Sequence, residues 1–507
     1  MSKSSMQIKF QRFLRIALPM AMVGISLVAS PVGANLSGDC AITSDESFLN
    51  EGRTDYSWNA DATGTMDTVM LFVDFPDAPA GEQSTMDDYN QLMPDTADWF
   101  HEVSFGRLEL DVSPVHQWFR LPQDSGSYEI RGSAPPTFSE VRAYVEDAIQ
   151  AADSEVDFGQ YVEVVVVPSR NSRIARSVAF LARKGKGIHV DGREIRHGAT
   201  INTSYAVSLP VNELIHEIGH TLGLPDLYDY DYAGYAESVK PVGAWDVMSA
   251  PSQGSHFLAW HKWKLGWIDE TQVDCLTKTG VSSVTLSPIE VEGGMKAAVI
   301  RTSDSTAYVA EVRSQVGADA DLCDEGVLVY KVRGNLGSGS TPIVVHTDEI
   351  EDDAGQGGRC GQKYNAPYEV GETFTNPSGD VMIEVLSNSG EDYSIKATYT
   401  GDYKPSHKRR INFGFSGPPR ANNRPTKGKV SVPDGYTACA EDVPVKLQRR
   451  TGSGWNTLKS TKTRDDGIFR FAVPLKRGFY RAFATRVIRN GEKCKAKPSE
   501  ARQIHRS

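Results

Sequence analysis

Five residues, His216-Glu217-Ile218-Gly219-His220, constrain this chain more than any other feature. Val211, Leu214, Ile215, Ile218 and Leu222 recur around them at helical spacing and predict a buried apolar stripe. Pro210 stands where a first helical turn tolerates proline. On such a helix His216 and His220 project from one face, one turn apart. That arrangement suits a single zinc ion, which takes nitrogen ligands at about 2.0–2.1 Å. Glu217 points to the neighbouring side, too far round for a good ligand but placed to take a proton from an activated water. Gly223 can end the helix abruptly and Pro225 prevents its continuation. Asp226 then falls at the third-ligand position of the longer HExxHxxGxxH/D pattern. Asp229 and Glu237 lie on the same following loop and stay open as alternatives.

Trp245-Asp246-Val247-Met248-Ser249 resembles the methionine turn that underlies the zinc site of metzincins. The run from His216 to Asp229 is similar to the signature of the immune inhibitor A family of secreted bacterial metallopeptidases. Four other stretches share that resemblance: Leu71 to Asp77, Val103 to Leu108, Pro241 to Ser249 and Ala259 to Trp267. Together they span roughly residues 65 to 335. The resemblance implies a zinc metalloendopeptidase, with His216, His220 and Asp226 as metal ligands and Glu217 as general base. An oxyanion donor is expected as well; Tyr228, Tyr230 and His256 are the candidates.

Lys3, Lys9, Arg12 and Arg15 precede an apolar run from Ile16 to Ala29, and Val32-Gly33-Ala34 offers small residues before a cut. This predicts a secretory signal peptide over residues 1–34, and hence a secreted, extracellular protein. The run is too short for a membrane anchor, which needs about 20 apolar residues. No later segment is long enough either, so no transmembrane helix is expected after cleavage. All six cysteines lie beyond the leader, and an even count in an exported chain suggests disulfide bonds. The expected pairs are Cys439–Cys494 in the last domain, Cys323–Cys360 in the middle one and, by elimination, Cys40–Cys275.

Residues 35–65 are polar and read as a lead-in or short pro-segment. Beyond them, strand patterns at Thr68 to Val73, Leu108 to Val112, Tyr161 to Val167 and Ala199 to Val207 alternate with helical patterns at residues 84–102 and Phe138 to Ala152. The nearly unbroken apolar run at 161–167 suggests a sheet covered on both sides. This order fits an α+β, zincin-like catalytic domain over residues 66–275. Period-two patterns then predict an all-β sandwich over 276–403. Residues 404–429, rich in Pro, Arg and Gly, read as a linker. A second, immunoglobulin-like β domain follows over 430–507. Trp260, Trp263 and Trp267 are expected to pack in the core.

Net charge divides the chain. Residues 404–507 carry +18 within a total of −11. A basic tail beside an acidic enzyme suggests anionic cell-wall polymers as a partner, alongside protein or peptide substrates. No basic motif interleaved with aromatics stands in the sequence, so nucleic acid is not expected. The acidic run Asp226 to Tyr232 admits a calcium ion as a second cofactor, although its spacing matches no known loop. The alternative to an enzyme is a non-catalytic exported protein that binds surfaces through the basic domain.

Overall fold

The computed structural model describes residues 36–504, except 37, 45–48, 133–134, 204–209, 232–233, 235–237, 252–255, 323, 348–362, 364, 419–422, 434, 453 and 490–491. The leader, Cys323, Cys360 and Glu237 fall outside the described residues.

The first sheet is built from β1 (Gly64–Asp74), β2 (Leu108–Arg120), β3 (Glu163–Pro168), β4 (Val178–Leu181) and β7 (His197–Thr200); β5 (Ile188–Val190) and β6 (Arg193–Ile195) form a small hairpin beside it. Its order is β2-β1-β3-β7-β4, parallel except for β4, which runs antiparallel to β7 at one edge. Period-two alternation puts apolar side chains on both faces. Met66, Met70, Phe72, Val165 and Val167 enter one core with Leu92 and Phe100 of α1 (Thr85–Val103) and with Leu214, Ile215 and Ile218 of α3 (Pro210–Thr221). Val69, Leu71, Val73, Val164 and Val166 enter a second core with Val141, Tyr144, Val145, Ala148 and Ile149 of α2 (Phe138–Ala152). A capping box between Thr137 and Glu140 fixes the start of α2.

The stretch expected as a lead-in is woven into the first core: Leu36, Cys40, Ala41, Ile42, Ala60 and Ala62 are buried there. Cys40 is bonded to Cys275. Lys264 on α4 (Ala259–Lys264) donates to the carbonyls of Asn50 and, at 2.8 Å, of Gly223. Residue 50 is thereby tethered to the turn that ends α3. Trp260, Trp263 and Trp267 are buried in the same core, as expected.

The middle of the chain forms two sheets. One contains β8 (Val273–Leu276), β10 (Ala297–Arg301), β11 (Thr306–Arg313), β12 (Gly326–Arg333) and β13 (Ile343–His346); the other contains β9 (Gly280–Leu286), β14 (Thr373–Thr375), β15 (Val381–Ser389) and β16 (Asp392–Tyr399). Ala298, Ile300, Ala310 and Val329 face the second sheet. Val299, Val309, Leu328, Tyr330 and Val332 face the other way, into the core that also holds α3. A sheet covered on both faces is why β11 is buried almost throughout.

Residues 404–429 are not a plain linker. They supply β17 (Ser406–His407), β18 (Arg410–Phe415) and the start of β19 (Asn423–Ser431). Alternating Ile411, Phe413 and Phe415 pack on the last core, a pattern obscured by the surrounding Pro, Gly and Arg. The remaining strands are β20 (Pro444–Thr451), β21 (Gly454–Lys462), β22 (Ile468–Pro474), β23 (Gly478–Ala484), β24 (Val487–Arg489), β25 (Glu492–Cys494), β26 (Lys497–Pro498) and β27 (Arg502–Ile504). The sheet β18-β19-β22 and the sheet β21-β20-β23-β26 enclose that core, and Cys439 is bonded to Cys494. Asp304 joins this region to the rest. Its carboxylate accepts from Lys495 Nζ at 2.7 Å, Tyr403 Oη at 2.9 Å, and the amide and hydroxyl of Ser406, while its carbonyl accepts from the Thr43 amide at 2.8 Å. Among the described residues no helix is long and apolar enough to cross a membrane.

Candidate metal centre

The apolar stripe of α3 faces the core, which turns His216, Glu217 and His220 toward a cleft. Gly219, between the two histidines, leaves room for the turn beneath: a Cβ there would lie 2.6 Å from the Met248 sulfur. After Thr221 the chain reverses at Gly223, whose φ of +100° disfavours any side chain. The reversal brings the Leu224 carbonyl to 2.8 Å from His220 Nδ1. His216 Nδ1 lies 3.0 Å from the Val247 carbonyl. With both Nδ1 atoms hydrogen-bonded to backbone carbonyls, both Nε2 lone pairs are left for a metal.

Asp226 Oδ1 lies 3.0 Å from His216 Nε2 and 3.3 Å from His220 Nε2. Ligand atoms of the three residues all fall within 4.8 Å of one another, and they are the only such group found among the described residues. Two imidazole nitrogens and a carboxylate oxygen, all buried, are a donor set that fits zinc. The electrostatics agree. Burial alone would depress the histidines, but Asp226 outweighs it, raising His220 and pushing His216 up to about 10. Burial opposes the charged form of Asp226 too, yet the two histidines hold it well below the usual carboxylate range. The cluster therefore stabilises positive charge at one point, which a divalent cation satisfies as well as protons do. Burial raises Glu217 to about 7, even though both histidines pull it down.

Asp226 is also held by Tyr230 and by two residues the sequence gave no reason to suspect, Ser338 and Gly339. Its amide donates to Ser338 Oγ at 3.0 Å, its carbonyl accepts from the Gly339 amide, and its Oδ2 accepts from the Tyr230 hydroxyl. Ser338 and Gly339 belong to the β12–β13 connection, more than a hundred residues downstream. Tyr228 stacks on His216 and also lines the cleft. Burial first, then Asp226, drive the hydroxyls of Tyr228 and Tyr230 above the ordinary tyrosine value, so both stay protonated. His256 is buried elsewhere against Trp99 and does not line the cleft. Asp229 accepts from the Asp231 amide and stands outside the cluster.

The cleft, of about 300 Å³, is lined by Leu49, Pro135, Pro136, Phe138, Val141, Val178 and Leu181 together with Tyr228, Tyr230 and Ser338. Val178 and Leu181 belong to β4, the edge strand. Beneath the cleft, Asp246 accepts from the amides of Met248 and Leu258 at 2.8 Å each and lies 2.8 Å from His261 Nδ1. The other ring nitrogen of His261 lies 3.1 Å from Glu51.

Residues 186–259 match the family described as "Immune inhibitor A peptidase M6, catalytic domain". This segment is thus similar to the catalytic domain of the peptidase M6 family. It contains every residue of the histidine–aspartate cluster, Glu217 and Met248. A 34-residue stretch is 62% identical to "Immune inhibitor A" of Bacillus thuringiensis subsp. alesti; it covers 7% of this chain and 4% of that relative's length. The M6 likeness is thus concentrated around α3 and the turn below it. The extracellular region of rat CD45, domains d3-d4, matches 27% of this chain and 65% of that one at 12% identity and a TM-score of 0.15, too low to bear on the fold.

Proposed function

We propose that this chain is a zinc-dependent endopeptidase, acting outside the cell after loss of a leader ending at Ala34. The observation that carries the reading is the convergence of His216 Nε2, His220 Nε2 and Asp226 Oδ1 in one cleft that Glu217 also lines. His216, His220 and Asp226 would hold the ion, and zinc, when bound, supplies Lewis acidity that acidifies water and polarises a peptide carbonyl.

The protein's own groups do the rest. Glu217, kept near neutral pKa, accepts a proton from water at its carboxylate and returns it to the leaving nitrogen. Tyr228 brings a protonated hydroxyl to the same cleft and can donate to developing negative charge on the carbonyl oxygen, while the Tyr230 hydroxyl is committed to Asp226. β4 offers an edge along which an extended peptide can add as a further strand. The apolar lining residues of the cleft accommodate a hydrophobic substrate side chain. In this reading residues 66–275 carry a zincin-like chemistry, and the β regions downstream buttress it and contact anionic wall polymers. The disulfides Cys40–Cys275 and Cys439–Cys494 support an oxidising, extracellular location.

Metal analysis of the purified full chain, together with casein hydrolysis, tests the proposal. One zinc per chain and hydrolysis abolished by chelation are expected. A folded protein that neither retains zinc nor cleaves casein would favour a non-catalytic binding protein instead.

A further inference from the structure

The strands β20, β21, β23, β26 and β27 contain no aspartate or glutamate, yet they carry eight lysines and arginines. Their inner face is apolar: Val445, Leu447, Tyr480, Ala482 and Ala484 fill the last core. Alternation therefore places Lys446, Gln448, Phe479, Arg481 and Phe483 on the outer face. The register aligns them, with Lys446 opposite Phe483 and Gln448 opposite Arg481. On the neighbouring strand Trp455 pairs with Arg450.

Arg481 is held rigidly at the centre of this face. Its guanidinium stacks on Trp455, 4.2 Å from the ring centroid, and lies 5.8 Å from that of Phe483. Its Nε donates to Gln448 Oε1 at 2.9 Å. Its two terminal nitrogens have no hydrogen-bond partner among the described residues. A planar fork fixed by stacking, with donors unused and no carboxylate on the strands of this sheet, is preorganised to donate to a carboxylate or similar anion. Exposed or half-buried aromatic faces beside it suit the apolar face of a sugar ring.

We propose that this outer face binds an acidic polysaccharide, with Arg481 gripping an acid group while Trp455 and Phe483 pack against sugar rings. The cations and aromatics interleave across strands rather than along the chain. This site does not depend on the metal centre, so its assay stands even if the peptidase reading fails.

The test is binding of the full-length, metal-stripped protein to polygalacturonate, with neutral pullulan and a thymidine oligonucleotide as comparisons. Thermal unfolding of each variant confirms that it is folded. Polygalacturonate should bind and pullulan should not. Arg481→Lys and Trp455→Ala should each weaken binding by about tenfold, because lysine keeps the charge but loses the fork. Lys427→Gln with Arg470→Gln, exposed on the opposite sheet, should change it by less than about twofold if contact rather than general charge decides. Equal losses from the opposite sheet, an unchanged Arg481→Lys, tighter binding of the oligonucleotide, or no binding of polygalacturonate would each overturn the proposal.

Discussion

His216 Nδ1 and the carbonyl oxygen of Val247 lie 3.0 Å apart. This contact links the metal-facing helix to the turn below it, and that turn is fastened by buried charge. Asp246 gathers the amides of Met248 and Leu258, and His261 bridges Asp246 to Glu51. A residue in the stretch the sequence presents as a lead-in is thus connected, through three side chains and one carbonyl, to a candidate zinc ligand.

Glu51→Ala tests that connection. It leaves His261 buried with one carboxylate fewer. Burial disfavours the charged ring, but Asp246 and Glu51 together push it up to about 10. Breaking such a buried pair costs about 3–5 kcal/mol. Urea unfolding should show that loss, and zinc competition should show weaker retention. Unchanged stability would mean that residues near 51 are dispensable, as a pro-segment would be.

Asp226→Ala should abolish tight zinc retention, because among the described residues it removes the only carboxylate oxygen within 3.3 Å of both imidazoles. Glu237→Ala should not. Metal content after dialysis against a chelator decides, and the reverse ranking would transfer the ligand role to Glu237.

Glu217→Gln should keep stoichiometric zinc and lose peptide hydrolysis by roughly 10²–10⁴-fold, the usual contribution of a general base. Loss of the metal from a folded variant would make Glu217 a ligand rather than a base.

Asp304 predicts an acid-sensitive junction. Burial opposes its charge, but hydrogen bonds from Lys495, Ser406 and Tyr403 prevail and lower it to about 2 from 3.8. A carboxyl depressed in the folded state adds stability above pH 3.8, and that stability is lost as pH falls toward about 2. At neutral pH it amounts to about 2 kcal/mol. Asp304→Asn should lower the unfolding midpoint at pH 7 and flatten its decline between pH 4 and 2. An unchanged acid limb would show that the carboxylate does not hold the junction.

Much was legible because it is local. The helix carrying His216, Glu217 and His220 follows from the period of its apolar residues, and α2 runs from Phe138 to Ala152 as its pattern predicts. Cys439 is bonded to Cys494, the partner expected within the last domain, and Cys40 to Cys275, the pair left by elimination. The pair Cys323–Cys360 falls outside the described residues. The linker reading of 404–429 failed because Gly, Pro and Arg conceal the alternation of Ile411, Phe413 and Phe415, which only a facing sheet turns into a strand.

By itself, then, the sequence singled out the residues of the candidate metal centre, since i and i+4 on one helix need no distant partner to share a face. Only the tertiary structure decided what holds them. Ser338 reaches Asp226 from the β12–β13 connection, and Glu51 reaches the turn at Met248 through His261; in the last domain, likewise, Trp455 reaches Arg481 across the strand between them. Each contact joins residues far apart in the chain, and their proximity comes from burying sheets on shared cores, which no local pattern records.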